Sequence, residues 1–212
     1  MSPLKRWCND YPGAEDSLRE LFGRQNLDFC NLERIFDECE QAWKANVTRL
    51  QKDRILIRYI LVAEAAPWTD PSKTPRYFYS TPDGKWAARI LKAFDLTESS
   101  HQLSDLAKKG FVLLDTLPFA APYTSPLRRK KSYLELVRHC HPYVKSKLSD
   151  LRFDSKPKIA LAFTWNGRRV IEAYNGQLPL PDGVNGKISE ETIAADGSGY
   201  TNILRLKELF GL

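Results

Sequence analysis

The chain lacks the glycine patterns that usually announce nucleotide binding. It has no Gly-x-Gly-x-x-Gly and no P-loop, so dinucleotide and phosphate-cradling readings lose their anchor. It has no Gly-x-Ser-x-Gly elbow and only three histidines, which leaves little from which to build a hydrolase triad. Its four cysteines include no Cys-x-x-Cys pair. A chain this long needs no disulfide staples, and free thiols in a reducing compartment are expected. His139-Cys140-His141 has no second cluster at zinc spacing, so no metal is expected. Neither an apolar leader nor a run of ~20 apolar residues is present, so no membrane contact is expected. These absences suit a cytoplasmic, nucleoid or nuclear protein without cofactors.

The 212 residues are 42% hydrophobic and 27% charged, ordinary for a globular domain. Their net charge of +6 is unevenly spread. Between Asp10 and Glu40 there are nine acidic and three basic residues; between Leu127 and Val170 there are three acidic and twelve basic. A one-sided basic face follows, and nucleic acid is its commonest partner.

The stretch Ile55–Ser80 organises the rest. It begins as an apolar run, which reads as a strand buried on both faces, and stops at Glu64. Pro67 cannot continue a central strand, because it has no N–H for the ladder. A polar loop follows, then Tyr77-Phe78-Tyr79. Upstream, apolar residues recurring at three and four from Phe29 to Lys52 predict a long amphipathic helix. Downstream, helices are expected around Trp86–Phe94, His101–Lys109, from Arg128 through Val144, over Asn166–Tyr174, and to Leu209. Further strands are expected at Phe111–Leu114, Lys158–Thr164 and near Glu191–Ala195. Alternating strands and helices predict one α/β domain over 1–212, with residues 1–54 as a helical segment on the sheet. The expected architecture has three layers, α/β/α, around a mostly parallel four-stranded sheet.

Glu64, Asp115 and Asp196 close or follow apolar runs, where parallel-sheet proteins bind ligands. Trp68, Tyr77, Phe78 and Tyr79 accompany the first, and aromatic faces in basic surroundings suit a stacked base. Gly197-Ser198-Gly199 can turn several N–H groups toward a phosphate.

In order, these pieces resemble the uracil-DNA glycosylase superfamily. That family's first strand ends in a short polar sequence with a proline; here it is Glu64-Ala65-Ala66-Pro67-Trp68. Twelve residues past the proline the family has an aromatic followed by serine, matched by Tyr79-Ser80. Its next strand is led by glycine and ends in Asn; here Gly110 leads to Asp115. Its last motif falls on Asp196-Gly197-Ser198-Gly199. The resemblance implies a flipped base in DNA and cleavage of its glycosidic bond. Glu64 would orient water and Asp115 would read the base edge. Pro67, Trp68, Phe78 and Tyr79 would hold the base. Ser80, Gly197, Ser198, Gly199, Arg128 and Arg129 would hold DNA phosphates.

Two departures bear on the chemistry. Ala66 stands directly before Pro67, where the family's carboxylate is expected, and Asp115 replaces an amide. An ionised Asp only accepts hydrogen bonds, whereas a protonated one also donates. The leading expectation is a monomeric DNA glycosylase-like protein for a damaged or deaminated base, in single- or double-stranded DNA. The alternatives are a non-catalytic nucleic-acid or nucleotide-binding module, and a small-nucleoside hydrolase or transferase using Glu64 and Asp115 as a carboxylate pair.

Overall fold

The computed structural model describes residues 10–23, 27–80, 84–97, 102–196 and 201–212. Its elements run α1 (Ala14–Phe22), α2 (Phe29–Lys52), β1 (Ile57–Ala63), α3 (Lys85–Ala93), α4 (Leu103–Lys108), β2 (Phe111–Asp115), α5 (Ser125–Arg128), α6 (Lys131–His139), α7 (His141–Ser149), β3 (Phe153–Leu161), α8 (Thr164–Ala173) and α9 (Ile203–Phe210).

Ile60, Leu61, Val62 and Ala63 are fully buried, as a strand covered on both faces requires. β1 is accordingly central in a parallel sheet of order β2-β1-β3. Leu61, Ala63 and Leu113 pack on a layer made by α3, α4 and α9. Val62, Val112 and Leu114 pack on the opposite layer, with α1, α2, α6, α7 and α8. Gly110, which leads into β2, has φ +79°, and a Cβ there would come within 2.4 Å of the Leu56 carbonyl. Only glycine lets α4 turn into the sheet so tightly.

The long helix falls on Phe29–Lys52, with Leu32, Ile35, Phe36, Cys39, Trp43, Val47 and Leu50 buried. Asp28 caps it by accepting from the Asn31 N–H at 3.0 Å.

Two expectations need correction. The sheet has three strands, not four: near Glu191–Ala195 the chain makes a 3-10 turn (Glu190–Thr192), and Ile193 meets Leu161 in a single bridge. The helix expected from Arg128 through Val144 is three helices; the break between α6 and α7 falls where Pro142, which cannot sit in a helix interior, occupies the first turn of α7. Its inner face survives, with Tyr133, Leu136, Val137, Cys140 and Val144 all fully buried.

β2 is an edge strand, and Tyr79 covers its free side. The Tyr79 hydroxyl accepts from the Leu113 N–H at 2.7 Å and donates to the Leu113 carbonyl at 3.0 Å. Tyr79→Phe strands both backbone groups in a buried place. We expect a loss of about 1–3 kcal/mol in chemical denaturation, with the fold retained by circular dichroism.

Candidate functional site

A cavity of about 490 Å3 opens at the C-terminal mouth of β1 and β2. Pro67, Tyr77, Phe78, Trp86, Leu113 and Asp115 supply its walls. Leu113 and Asp115 lie two apart on β2 and therefore share one face. Phe78 meets Trp86 edge-on at 5.9 Å between ring centroids, and Trp86 stacks on Phe163 at 5.8 Å. Two cations, Arg76 and Lys85, also line the opening. Neither makes an ion pair or a side-chain hydrogen bond among the described residues.

The Asp115 carboxyl is the polar group at the inner end. It is 5% exposed and has no side-chain hydrogen bond among the described residues. Burial pushes its pKa up to about 7; Lys147 opposes the rise, and Glu40 and Glu64 add to it. Lys147 is itself buried, 2.6 Å from Glu40 and over the rings of Trp43 and Tyr143. The Tyr77 hydroxyl is buried and has no hydrogen-bond partner among the described residues. Burial foremost, and then the Asp115 charge, hold it protonated.

Glu64 is elsewhere. Ala63 is paired with Asp115 across the ladder and shares its face. The next residue, Glu64, therefore turns to the opposite layer. There Arg128 grips it with two bonds, Nε to Oε1 at 2.7 Å and Nη2 to Oε2 at 2.6 Å. The Tyr133 hydroxyl donates to Oε1 at 2.6 Å and accepts from the Asn166 amide at 3.0 Å. Thr116 completes the group: its hydroxyl donates to the carbonyls of Ala63 and Glu64, both at 3.1 Å. Glu64 is thus a tie between β1, α5, α6 and α8, not a group presented to the cavity. The expectation that it orients water there is corrected, and so is the idea of a carboxylate pair.

The remaining expected site residues divide. Pro67 and Phe78 line the cavity; Tyr79 does not, since its ring is enclosed by Trp43, Tyr77 and Phe78 and its hydroxyl serves β2. Trp68 and Ser80 line a second, neighbouring cavity. Arg128 is committed to Glu64 and is not a free phosphate contact. Arg129 is exposed, held over the Trp165 ring at 4.4 Å. Arg168 approaches the same ring at 5.3 Å. Arg169 anchors the basic run from below, donating to the Arg128 carbonyl at 3.0 Å and the Arg129 carbonyl at 2.6 Å. Gly197, Ser198 and Gly199 lie outside the described residues.

Several residues of the site were missed in the sequence. Trp86 reads there as one more inner-face residue of a helix, yet it sits in the first turn of α3, where that helix meets the cavity. Asn166 left a usable signal, an amide at an inward position of an otherwise apolar helix face. Among the described residues no group of three or more His, Cys, Asp or Glu side chains could hold a metal. The triplet at 139–141 is split: Cys140 is core, and His141 packs edge-on against Tyr174 at 4.9 Å. No helix among the described residues is long and apolar enough to cross a membrane.

The two carboxyls should respond oppositely to replacement. Glu64→Gln leaves a half-buried guanidinium short of its partner, and we expect a loss of about 2 kcal/mol, a fall in Tm of roughly 4–8 °C. Asp115 acts through pH. The folded chain keeps its proton up to about pH 7, whereas the unfolded chain releases it near 3.8. Its contribution is therefore intact below about pH 4 and lost as the pH rises to about 7, and stability falls across that window. Urea denaturation from pH 4 to 8 should show that fall in the natural chain and a flatter profile in Asp115→Asn.

Comparison with protein-family models, with curated proteins and with solved structures found no match.

Proposed function

We propose that the chain is a nucleic-acid-directed base-binding protein that holds a flipped nucleobase in the cavity beside Asp115. One observation carries this reading. Pro67 and Asp115, taken from two of the segments that resemble uracil-DNA glycosylases, line a single cavity at the C-terminal mouth of a parallel sheet, together with Phe78, the neighbour of the matched Tyr79. Such mouths are where open α/β sheets take their ligands, and about 490 Å3 is ordinary for a small organic ligand. The walls are flat and aromatic, as stacking on a base requires. Asp115 supplies the edge contact. Near neutrality it exists in both forms, so it can donate and accept when protonated and only accept when ionised. Damaged or deaminated bases differ from normal ones in this donor and acceptor pattern. Arg129 and the basic stretch around it favour a polyanionic partner.

The engagement of Glu64 by Arg128 and Tyr133 favours binding over hydrolysis, since it removes the expected water-orienting group from the cavity. A second, hydrolytic reading rests on Asp115 alone. A protonated carboxyl beside the base can give its proton to the departing base, and such an acid works best with a pKa near the working pH.

The test uses oligonucleotides carrying one uracil, hypoxanthine, xanthine or alkylated base. Binding should weaken with salt, depend on the base, and be lost largely in Phe78→Ala. For a base presenting an acceptor toward Asp115, affinity should fall roughly tenfold between pH 6 and pH 8, and Asp115→Asn should remove that dependence. Base-independent binding, or binding indifferent to both substitutions, contradicts the proposal. Release of free base, fading above pH 7 and absent in Asp115→Asn, selects the hydrolytic reading.

A further inference from the structure

Beside the base cavity lies a second, of about 740 Å3. It is lined by Trp68, Thr69, Lys73, Pro75 and Ser80, and by Arg76, which also lines the first. Trp68 is 48% exposed, the only aromatic among the large hydrophobic side chains left open to solvent in the described residues. Its ring offers an open aromatic face beside the cavity on which a flat ligand can stack. Trp68 follows Pro67 directly, so the chain passes from one cavity to the other within a single peptide bond.

The charges fit a phosphate between them. Arg76 has no ion pair or side-chain hydrogen bond among the described residues. Two carboxylates also line this cavity: Glu38 pairs with Arg34 at 3.2 Å, and Asp70 accepts from the Ser72 N–H at 2.9 Å and from its hydroxyl at 2.5 Å and feels the Lys73 charge. Lys73 adds a second positive group on the same wall. An open guanidinium common to two adjoining cavities, one walled by Phe78 and Trp86 and the other by Trp68, has the layout of a phosphodiester between two bases.

We infer that the second cavity receives the nucleotide next to the flipped base, with Trp68 stacking on its base and Arg76 holding the linking phosphate. The ligand is therefore an unpaired strand of at least two nucleotides, not a free nucleoside. This rests on the base-binding reading above and adds strandedness to it. A neighbour stacked on Trp68 is not stacked in a duplex, so the strand must be single or locally opened.

Isothermal titration with deoxynucleosides and the matching dinucleoside monophosphates, covering the four common bases with uracil and hypoxanthine, tests it. The readout is the ratio of the two affinities. At least one dinucleoside monophosphate should bind roughly tenfold tighter than its nucleoside, the usual size of one base–aromatic stack. Trp68→Ala and Arg76→Gln should each bring that ratio toward one, while Trp68→Phe keeps most of it. Both side chains are exposed, so unchanged thermal melts should accompany these losses. A ratio near one in the natural chain, or a ratio unmoved by Trp68→Ala and Arg76→Gln, overturns the inference. If nucleoside binding then still responds to Asp115→Asn, the base cavity stands and only the strand assignment falls. If neither ligand class binds, both fall together.

Discussion

The pairing of β1 with β2 governs the chemistry of this molecule. Ala63 stands opposite Asp115 in the ladder, and side chains along a strand alternate between faces. Asp115 is thereby sent to the cavity, and Glu64, one step past Ala63, is sent to the other layer. A slip of one residue would set Glu64 opposite Asp115 and send both carboxyls to the same layer. The network around Glu64 resists such a slip. Its carboxylate gathers a guanidinium, a phenol and, through the phenol, the Asn166 amide, so that four elements meet at the end of β1. Tyr79 guards the register from the outside, holding both backbone groups of Leu113.

Seen this way, the two acidic residues divide the labour of the sheet's mouth. One is neutralised by partners and fixes the geometry. The other is left with burial and a distant lysine, and its proton is held loosely enough to exchange near neutral pH. A buried carboxyl in that state costs the fold stability as the pH rises toward 7.

Much of this was legible in the sequence, and the limits have a physical cause. The helix Phe29–Lys52 declared itself through three-and-four spacing, and β1 through an unbroken apolar run. Both are local patterns. Asp115, Phe78 and Pro67 could be placed at a strand mouth because strand ends and prolines are local as well. The face taken by Glu64 could not, because it depends on register with a strand some fifty residues away. The same holds for Tyr79: its spacing from Pro67 resembles a family motif, but its neighbour Phe78 takes the cavity wall while Tyr79 seals the edge. The fourth strand failed for a different reason. The segment near Ile193 has strand-like composition, but one bridge to Leu161 is all the ladder it makes.

The assignment of the two carboxyls to separate roles can be read directly by carboxyl 13C NMR. Across pH 5 to 9 the Asp115 signal should titrate near pH 7, and adding a nucleobase-bearing ligand should shift it while leaving the Glu64 signal in place. A ligand that moved Glu64 and left Asp115 untouched would contradict the account.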